Sequence, residues 1–185
     1  EAVRGKMKTE NVFYEKLEGD VAYIEILSFS EAITYEQFAS ALEQAKADGC
    51  KAYIFDVRDN PGGDLNAVCS MLDYLVPQGP IVRLSYANSD QVRTIYSYDS
   101  EVDMPMVVLT NNNTASAAEL FTSALRDYDK AEIIGQKTYG KGCGQTGQMT
   151  KDGSVVFITN FLYSPPYSDN YDGIGIVPDY EVALS

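Results

Sequence analysis

Residues 51–76, "KAYIFDVRDNPGGDLNAVCSMLDYLV", combine a strand, a turn and a helix. Residues 51–57 are rich in the aliphatic and aromatic side chains that are typical of a buried strand. Asn-Pro, Pro-Gly and Gly-Gly pairs, all common in turns, end this strand. Apolar side chains then recur at helical spacing: Leu65, Val68, Leu72 and Leu75. The stretch therefore predicts a strand–turn–helix unit, the building block of an α/β fold.

A similar unit precedes it. Residues 21–29, "VAYIEILSF", predict a buried strand, and a helix follows. Thr34 and Gln37 have the spacing of a capping box at the start of this helix, and Gly49 is a suitable C-terminal stop.

The alternation continues toward the C-terminus. The further predicted elements are strands over 79–86, 91–98 and 104–110, a helix over 114–129, a strand over 131–135, a loop over 137–147 and a strand over 154–163. Strand–helix alternation through residue 135 indicates an α/β fold with right-handed crossovers. With no internal repeat and no linker, residues 1–185 are expected to form one domain.

The composition excludes several functions. Apolar residues make up 45% and charged residues 22% of the chain, which is ordinary for a globular protein. The net charge of −13 disfavours nucleic acid and anionic membranes as partners, because both are bound through Lys and Arg. The chain has no His and only three scattered Cys, so neither a metal site nor a disulfide framework is predicted, and no cofactor is expected.

Ser116 lies between two alanines in "TASAAELF" (114–121), where a helix begins. Thr114 is the better N-cap candidate, which leaves Ser116 without an evident structural role. A hydroxyl at a strand-to-helix turn lies beside an N–H group that can stabilise the charge formed when the hydroxyl attacks a carbonyl. Because the chain has no His, the usual catalytic triad is impossible.

A lysine could activate such a serine. Lys137 and Lys141 both lie in "KTYGKGCGQ" (137–145), and a Ser–Lys dyad is a known alternative to Ser–His. The lysine must then be neutral, which requires a pKa below the usual ~10.4. Gln145 could orient the amine without adding a charge. Spacing alone does not choose between the two lysines. Cys143 is interpreted as a small filler in this loop.

The glycine-rich turn offers a complementary feature. In "DVRDNPGGDL" (56–65), backbone N–H groups stand between a strand and a helix N-terminus, where an oxyanion or a phosphate can bind. No Gly-Lys-Ser/Thr follows, so the turn is not a Walker loop.

Four ordered motifs resemble those of the C-terminal processing (tail-specific) serine peptidases: "DVRDNPGGDL", "NNNTASAAEL", "KTYGKGCGQ" and "GIGIVPDYEV". The resemblance covers about residues 12 to 182. It implies a Clp-protease/crotonase-like α/β spiral and endopeptidase activity on polypeptides, near their C-termini, through an acyl-enzyme.

The resemblance also implies roles for individual residues. Ser116 corresponds to the family's nucleophile, Lys141 to its general base and Gln145 to the residue that orients the base. The oxyanion hole would be formed by backbone N–H groups: Gly62 or Gly63, together with Ala117. No metal is implied.

Members of this family usually carry a PDZ domain before the catalytic core. None is evident here, and residues 1–18 resemble the segment that leaves that domain, which favours an excised core over a PDZ-less relative. The resemblance alone predicts an extracytoplasmic location and polypeptide substrates. Two alternatives on the same scaffold are an inactive peptide- or ligand-binding domain and an acyl-thioester enzyme. The oligomeric state is not predicted.

Overall fold

The buried strands of the predicted units pair side by side in one sheet. The computed structural model describes residues 9–98 and 101–183. In chain order, the elements are β1 (Val12–Leu17), β2 (Val21–Ile26), α1 (Glu31–Ala47), β3 (Ala52–Asp56), α2 (Leu65–Asp73), β4 (Pro80–Tyr86), β5 (Val92–Tyr96), β6 (Met106–Thr110), α3 (Ala117–Asp127), β7 (Ala131–Gly135), β8 (Cys143–Met149), β9 (Val155–Ser164) and β10 (Tyr180–Glu181). No helix within the described ranges is long and apolar enough to cross a membrane.

Two sheets form the framework. The larger has the strand order β1-β2-β3-β6-β7-β10, in which β2, β3, β6 and β7 run parallel and β1 is antiparallel to β2. The smaller is antiparallel, with the order β5-β4-β9-β8. Because β3 and β6 are parallel neighbours, the loops after them emerge at the same edge of the sheet. This edge carries the site described below.

Aromatic side chains fill the space between the larger sheet and its helices. Phe38, Phe55 and Phe121 are fully buried. The Phe55 and Phe121 rings meet edge to face at 5.5 Å, and the Phe38 and Phe55 rings lie 5.8 Å apart. Burial of each such side chain stabilises the fold by about 1.5–3 kcal/mol. The cluster therefore anchors α3 against β3.

The start of α1 differs from the prediction. The helix begins at Glu31 after the N-cap residue Ser30, so Thr34 lies inside the helix and donates from Oγ1 to the Ser30 carbonyl. The Gln37 side chain, instead of closing a capping box, accepts the N–H groups of residues 11 and 12. The C-terminal stop is confirmed, because Gly49 follows the helix with φ 74°.

Three strands were not predicted: β1, β8 and the two-residue β10, which pairs with β7. β1 lies in the segment assigned to the exit from a PDZ domain; residues 1–8 of that segment lie outside the described residues. β8 occupies the second half of the predicted 137–147 loop, with the sequence "CGQTGQM". Its residues lack apolar alternation, and the strand exists because it pairs with β9 along its length. The predicted strand over 21–29 ends at Ile26, with only Phe29 forming an isolated bridge to Gly63.

Candidate active site

The loops after β3 and β6 are joined by hydrogen bonds at the edge of the sheet. Thr114 is buried and donates from Oγ1 to the Val57 carbonyl at 2.8 Å. The Ala115 N–H donates to the Asn60 carbonyl at 2.9 Å. The prediction that Thr114 caps the helix is therefore wrong: its hydroxyl joins the two loops, and the N-cap residue is Ser116.

Ser116 has an unusual backbone conformation. Its φ is 58° and its ψ is −121°, a region that residues with a Cβ rarely adopt. Such conformations cost about 1–3 kcal/mol and persist only where the surroundings impose them. The strained serine stands at a strand-to-helix turn, as in a nucleophile elbow, although the sequence is not Gly-x-Ser-x-Gly.

Glu119 holds this turn from inside the protein. Its carboxylate is fully buried and accepts four hydrogen bonds, two on each oxygen. Oε1 accepts from the Thr138 hydroxyl (2.5 Å) and the Gly140 N–H (2.7 Å). Oε2 accepts from the N–H groups of Ser116 (2.9 Å) and Lys141 (2.8 Å). One side chain thus joins the serine turn to the segment that carries the candidate base.

The two glycines of the turn differ in their hydrogen bonding. The Gly62 N–H donates to the Asn60 side-chain oxygen at 2.8 Å. Among the described residues, neither the Gly63 N–H nor the Ala117 N–H has a protein acceptor. A Cβ on Gly62 would lie 2.6 Å from the Ser116 Cβ, which explains why the turn needs glycine beside the serine.

A pocket of about 340 Å³ opens at this turn. The pocket is lined by five of the candidate site residues and by further residues of the turn, β8 and β9. The candidates are Ser116, Lys141, Gln145, Gly63 and Ala117, and the others are Asp64, Leu65, Cys143, Gly144, Phe157, Phe161 and Tyr163. Gly62 does not line it. Lys137 is exposed, and its Cε lies 3.4 Å from the Cβ position of Gly175, away from the pocket.

Lys141 is half-buried in this pocket. Within residues 9–98 and 101–183, its amine makes no ion pair with a carboxylate, and no hydrogen bond joins it to Ser116 or Gln145. Gln145 donates from Nε2 to the Thr159 hydroxyl at 3.4 Å. This bond uses the amide N–H and leaves the side-chain carbonyl to accept from the amine. The three candidate side chains thus line one pocket without direct contacts between them.

Tyr163 completes the site. It is buried, and its hydroxyl lies 3.1 Å from Ser116 Oγ and 2.5 Å from the Lys141 carbonyl oxygen. The buried ring of Tyr171 packs edge to face against it at 6.1 Å. Burial raises the pKa of the Tyr163 phenol.

Burial, together with a hydrogen bond to Asp172, also raises the pKa of the Cys143 thiol, which therefore remains protonated at neutral pH.

The sequence model of peptidase family S41 matches residues 20–182, which are most of the chain. The chain belongs to peptidase family S41. It is 34% identical over 183 residues to a probable CtpA-like serine protease of Staphylococcus haemolyticus, covering 97% of this chain and 36% of that relative. It is 36% identical to a carboxyl-terminal-processing protease of Synechocystis, covering 86% and 37%. The chain thus spans little more than a third of the length of these S41 relatives.

Solved structures confirm the S41 fold. The photosystem II D1 C-terminal processing protease matches with a TM-score of 0.84 and 28% identity, over 97% of this chain and 50% of that one. Tricorn protease matches with a TM-score of 0.58 and 21% identity, over 89% and 15%. The predicted Clp-protease-like α/β fold is therefore confirmed.

The sequence reasoning missed three residues of this S41 site. Glu119 could have been found, because Ser116-x-x-Glu119 has the spacing of a capping box. Asn60, whose side chain is buried against the Ile26 carbonyl, looks like an ordinary turn former. Tyr163 is one of fourteen tyrosines and carries no local signal.

Proposed function

We propose that this chain is the catalytic domain of a serine endopeptidase that cleaves polypeptides near their C-termini with a Ser116–Lys141 dyad. The observation that carries the proposal is the strained backbone of Ser116, beside two free N–H groups, in a pocket that Lys141 also lines. Strain of this kind concentrates at functional sites. Membership of family S41 supports the same reaction class.

The proposed reaction proceeds through an acyl-enzyme. Neutral Lys141 accepts the Ser116 proton as Oγ attacks the scissile carbonyl. The resulting oxyanion accepts hydrogen bonds from the N–H groups of Gly63 and Ala117. Collapse breaks the C–N bond, and Lys141 returns the proton to the departing amine. Water, deprotonated by Lys141, then hydrolyses the ester and restores the serine.

One observed hydrogen bond and one unused acceptor support these assignments. The Gly62 N–H is already used by Asn60, which favours Gly63 as the second donor of the oxyanion hole. The Gln145 side-chain carbonyl can accept a hydrogen bond from the Lys141 amine and adds no negative charge. A carboxylate in its place would favour the ammonium form of Lys141 and suppress its action as a base.

Peptide cleavage with matched variants tests the proposal. The chain is incubated with an unstructured polypeptide, and the cuts are mapped by mass spectrometry. Ser116→Ala and Lys141→Ala should abolish cleavage. Ser123→Ala, in the same helix, and Lys137→Ala, in the same segment, should retain it.

Labelling identifies the nucleophile directly. A fluorophosphonate should modify Ser116, and chelators should leave the rate unchanged. Cleavage that survives in Ser116→Ala would refute the mechanism. If the unaltered chain neither cuts nor becomes labelled, an inactive binding domain would be the better interpretation.

We also propose that residues 1–185 form one catalytic core, preceded in the whole protein by a PDZ domain and located outside the cytoplasm. The greater length of the relatives leaves room for such a domain. Restoring it should mainly lower KM, because remote docking stabilises substrate and transition state equally. Strong discrimination between free and amidated C-termini by the chain alone would contradict this division of roles.

A further inference from the structure

One hydroxyl contacts both the proposed nucleophile and the backbone of the proposed base. Tyr163 lies on β9, 47 residues after Ser116 and 22 after Lys141. Its hydroxyl lies 3.1 Å from Ser116 Oγ and 2.5 Å from the Lys141 carbonyl oxygen. Ser116 Oγ also accepts from the Glu119 N–H in the capping box at the start of α3, and Tyr163 is the one side chain among the described residues that contacts it.

Proton counting sets the direction of these bonds. A phenol carries one proton, and a carbonyl oxygen can only accept. The shorter contact, to Lys141, therefore uses the Tyr163 proton. The phenol oxygen is left as an acceptor, and Ser116 donates to it. Burial raises the pKa of this phenol, so it keeps its proton at neutral pH and is not itself a base.

We propose that Tyr163 is a positioning residue that holds the Ser116 hydroxyl in one rotamer and ties it to the backbone that carries Lys141. The inference rests on the proposed function, since it needs Ser116 to be the nucleophile. Its ring is itself fixed by burial and by the edge-to-face contact with Tyr171. The hydroxyl therefore has little freedom to move, and it sets the separation between the nucleophile and the base segment.

The role of Tyr163 differs from that of Glu119. Glu119 binds backbone N–H groups of both segments but does not contact the reacting oxygen. Tyr163 alone, among the described side chains, bonds to Ser116 Oγ. Without it, no side chain contacts Ser116 Oγ, and the hydroxyl is free to leave its present staggered rotamer.

Tyr163→Phe removes the hydroxyl and keeps the ring. Tyr128→Phe is the matched control, because Tyr128 also donates from its hydroxyl to a backbone carbonyl, that of Pro80, at the other end of α3. In Tyr163→Phe, kcat should fall about three- to tenfold, with KM within about twofold, since the lost bond orients the nucleophile rather than the substrate. The rate of Ser116 labelling by a small fluorophosphonate should fall by a similar factor.

Three outcomes would overturn the inference. One is a kcat and a labelling rate that match those of Tyr128→Phe. Another is a higher kcat, which would mean that the hydroxyl restrains the serine away from the base. The last is loss of the alkaline rise in rate, which would make Tyr163 the base. Failure of the proposed function is distinct, because either Ser116→Ala would still cleave or the unaltered chain would neither cleave nor become labelled.

Discussion

Replacing Glu119 by glutamine should damage the protein far more than the similar size of the two side chains suggests. Each carboxylate oxygen accepts two hydrogen bonds in a fully buried position. Glutamine keeps one oxygen and places an NH₂ group against two donors. Two charge-assisted bonds are therefore lost, each worth about 1.5–3 kcal/mol.

The expected loss in the free energy of unfolding is thus about 3–6 kcal/mol. That is a large part of the ~5–15 kcal/mol that stabilises a typical domain. At about 2–4 °C for each kcal/mol, the melting temperature should fall by about 6–24 °C. The kcat should also fall, because the Ser116 and Lys141 N–H groups lose their shared acceptor or keep it only at the expense of Thr138 and Gly140.

Urea unfolding and thermal melts measure the loss, and peptide cleavage is assayed at a temperature where the variant remains folded. Glu132→Gln, an exposed glutamate on β7, is the control and should change stability by no more than ~0.5 kcal/mol. A Glu119→Gln variant that unfolds within about 1 kcal/mol of the parent would refute the reasoning.

Three further variants test separate parts of the site and the fold. Gln145→Glu should displace the alkaline rise in cleavage rate to higher pH, because a carboxylate favours the ammonium form of Lys141; an unchanged pH–rate profile would remove Gln145 from the site. Gly62→Ala should abolish fluorophosphonate labelling, since its Cβ would lie 2.6 Å from the nucleophile's Cβ, whereas Gly153→Ala, at a similar positive φ with nothing within 4 Å, should not. Burial, and then Asp56, raise the pKa of Tyr23 to about 12, above the ~10 of an unfolded phenol. Its contribution to stability is therefore complete below about pH 10 and lost as the pH rises toward 12. Tyr23→Phe should lose less stability over that interval in urea unfolding, and an equal loss would show that this phenol contributes nothing.

Much of the larger sheet could be predicted from local patterns. The strand over 131–135 was predicted at its observed bounds, and Gly49 ends α1 as expected. Errors arose where a distant partner overrides the local signal. Thr34 and Thr114 both look like helix caps, but their hydroxyls bond elsewhere because Ser30 and Ser116 precede the helices. β8 has almost no strand pattern of its own, and pairing with β9 creates it.

Some features of the candidate site also follow from local sequence, and others depend on residues that are distant in the chain. The sequence by itself determined the order of strands and helices, the serine at a helix start and the glycines beside a lysine, because each depends on neighbours in the chain. Only the tertiary structure decided which lysine lines the pocket and which glycine N–H is free. It also brought the Tyr163 hydroxyl to Ser116, across 47 residues. These contacts join residues far apart in the chain, and their distances depend on how whole elements pack, which no local pattern encodes.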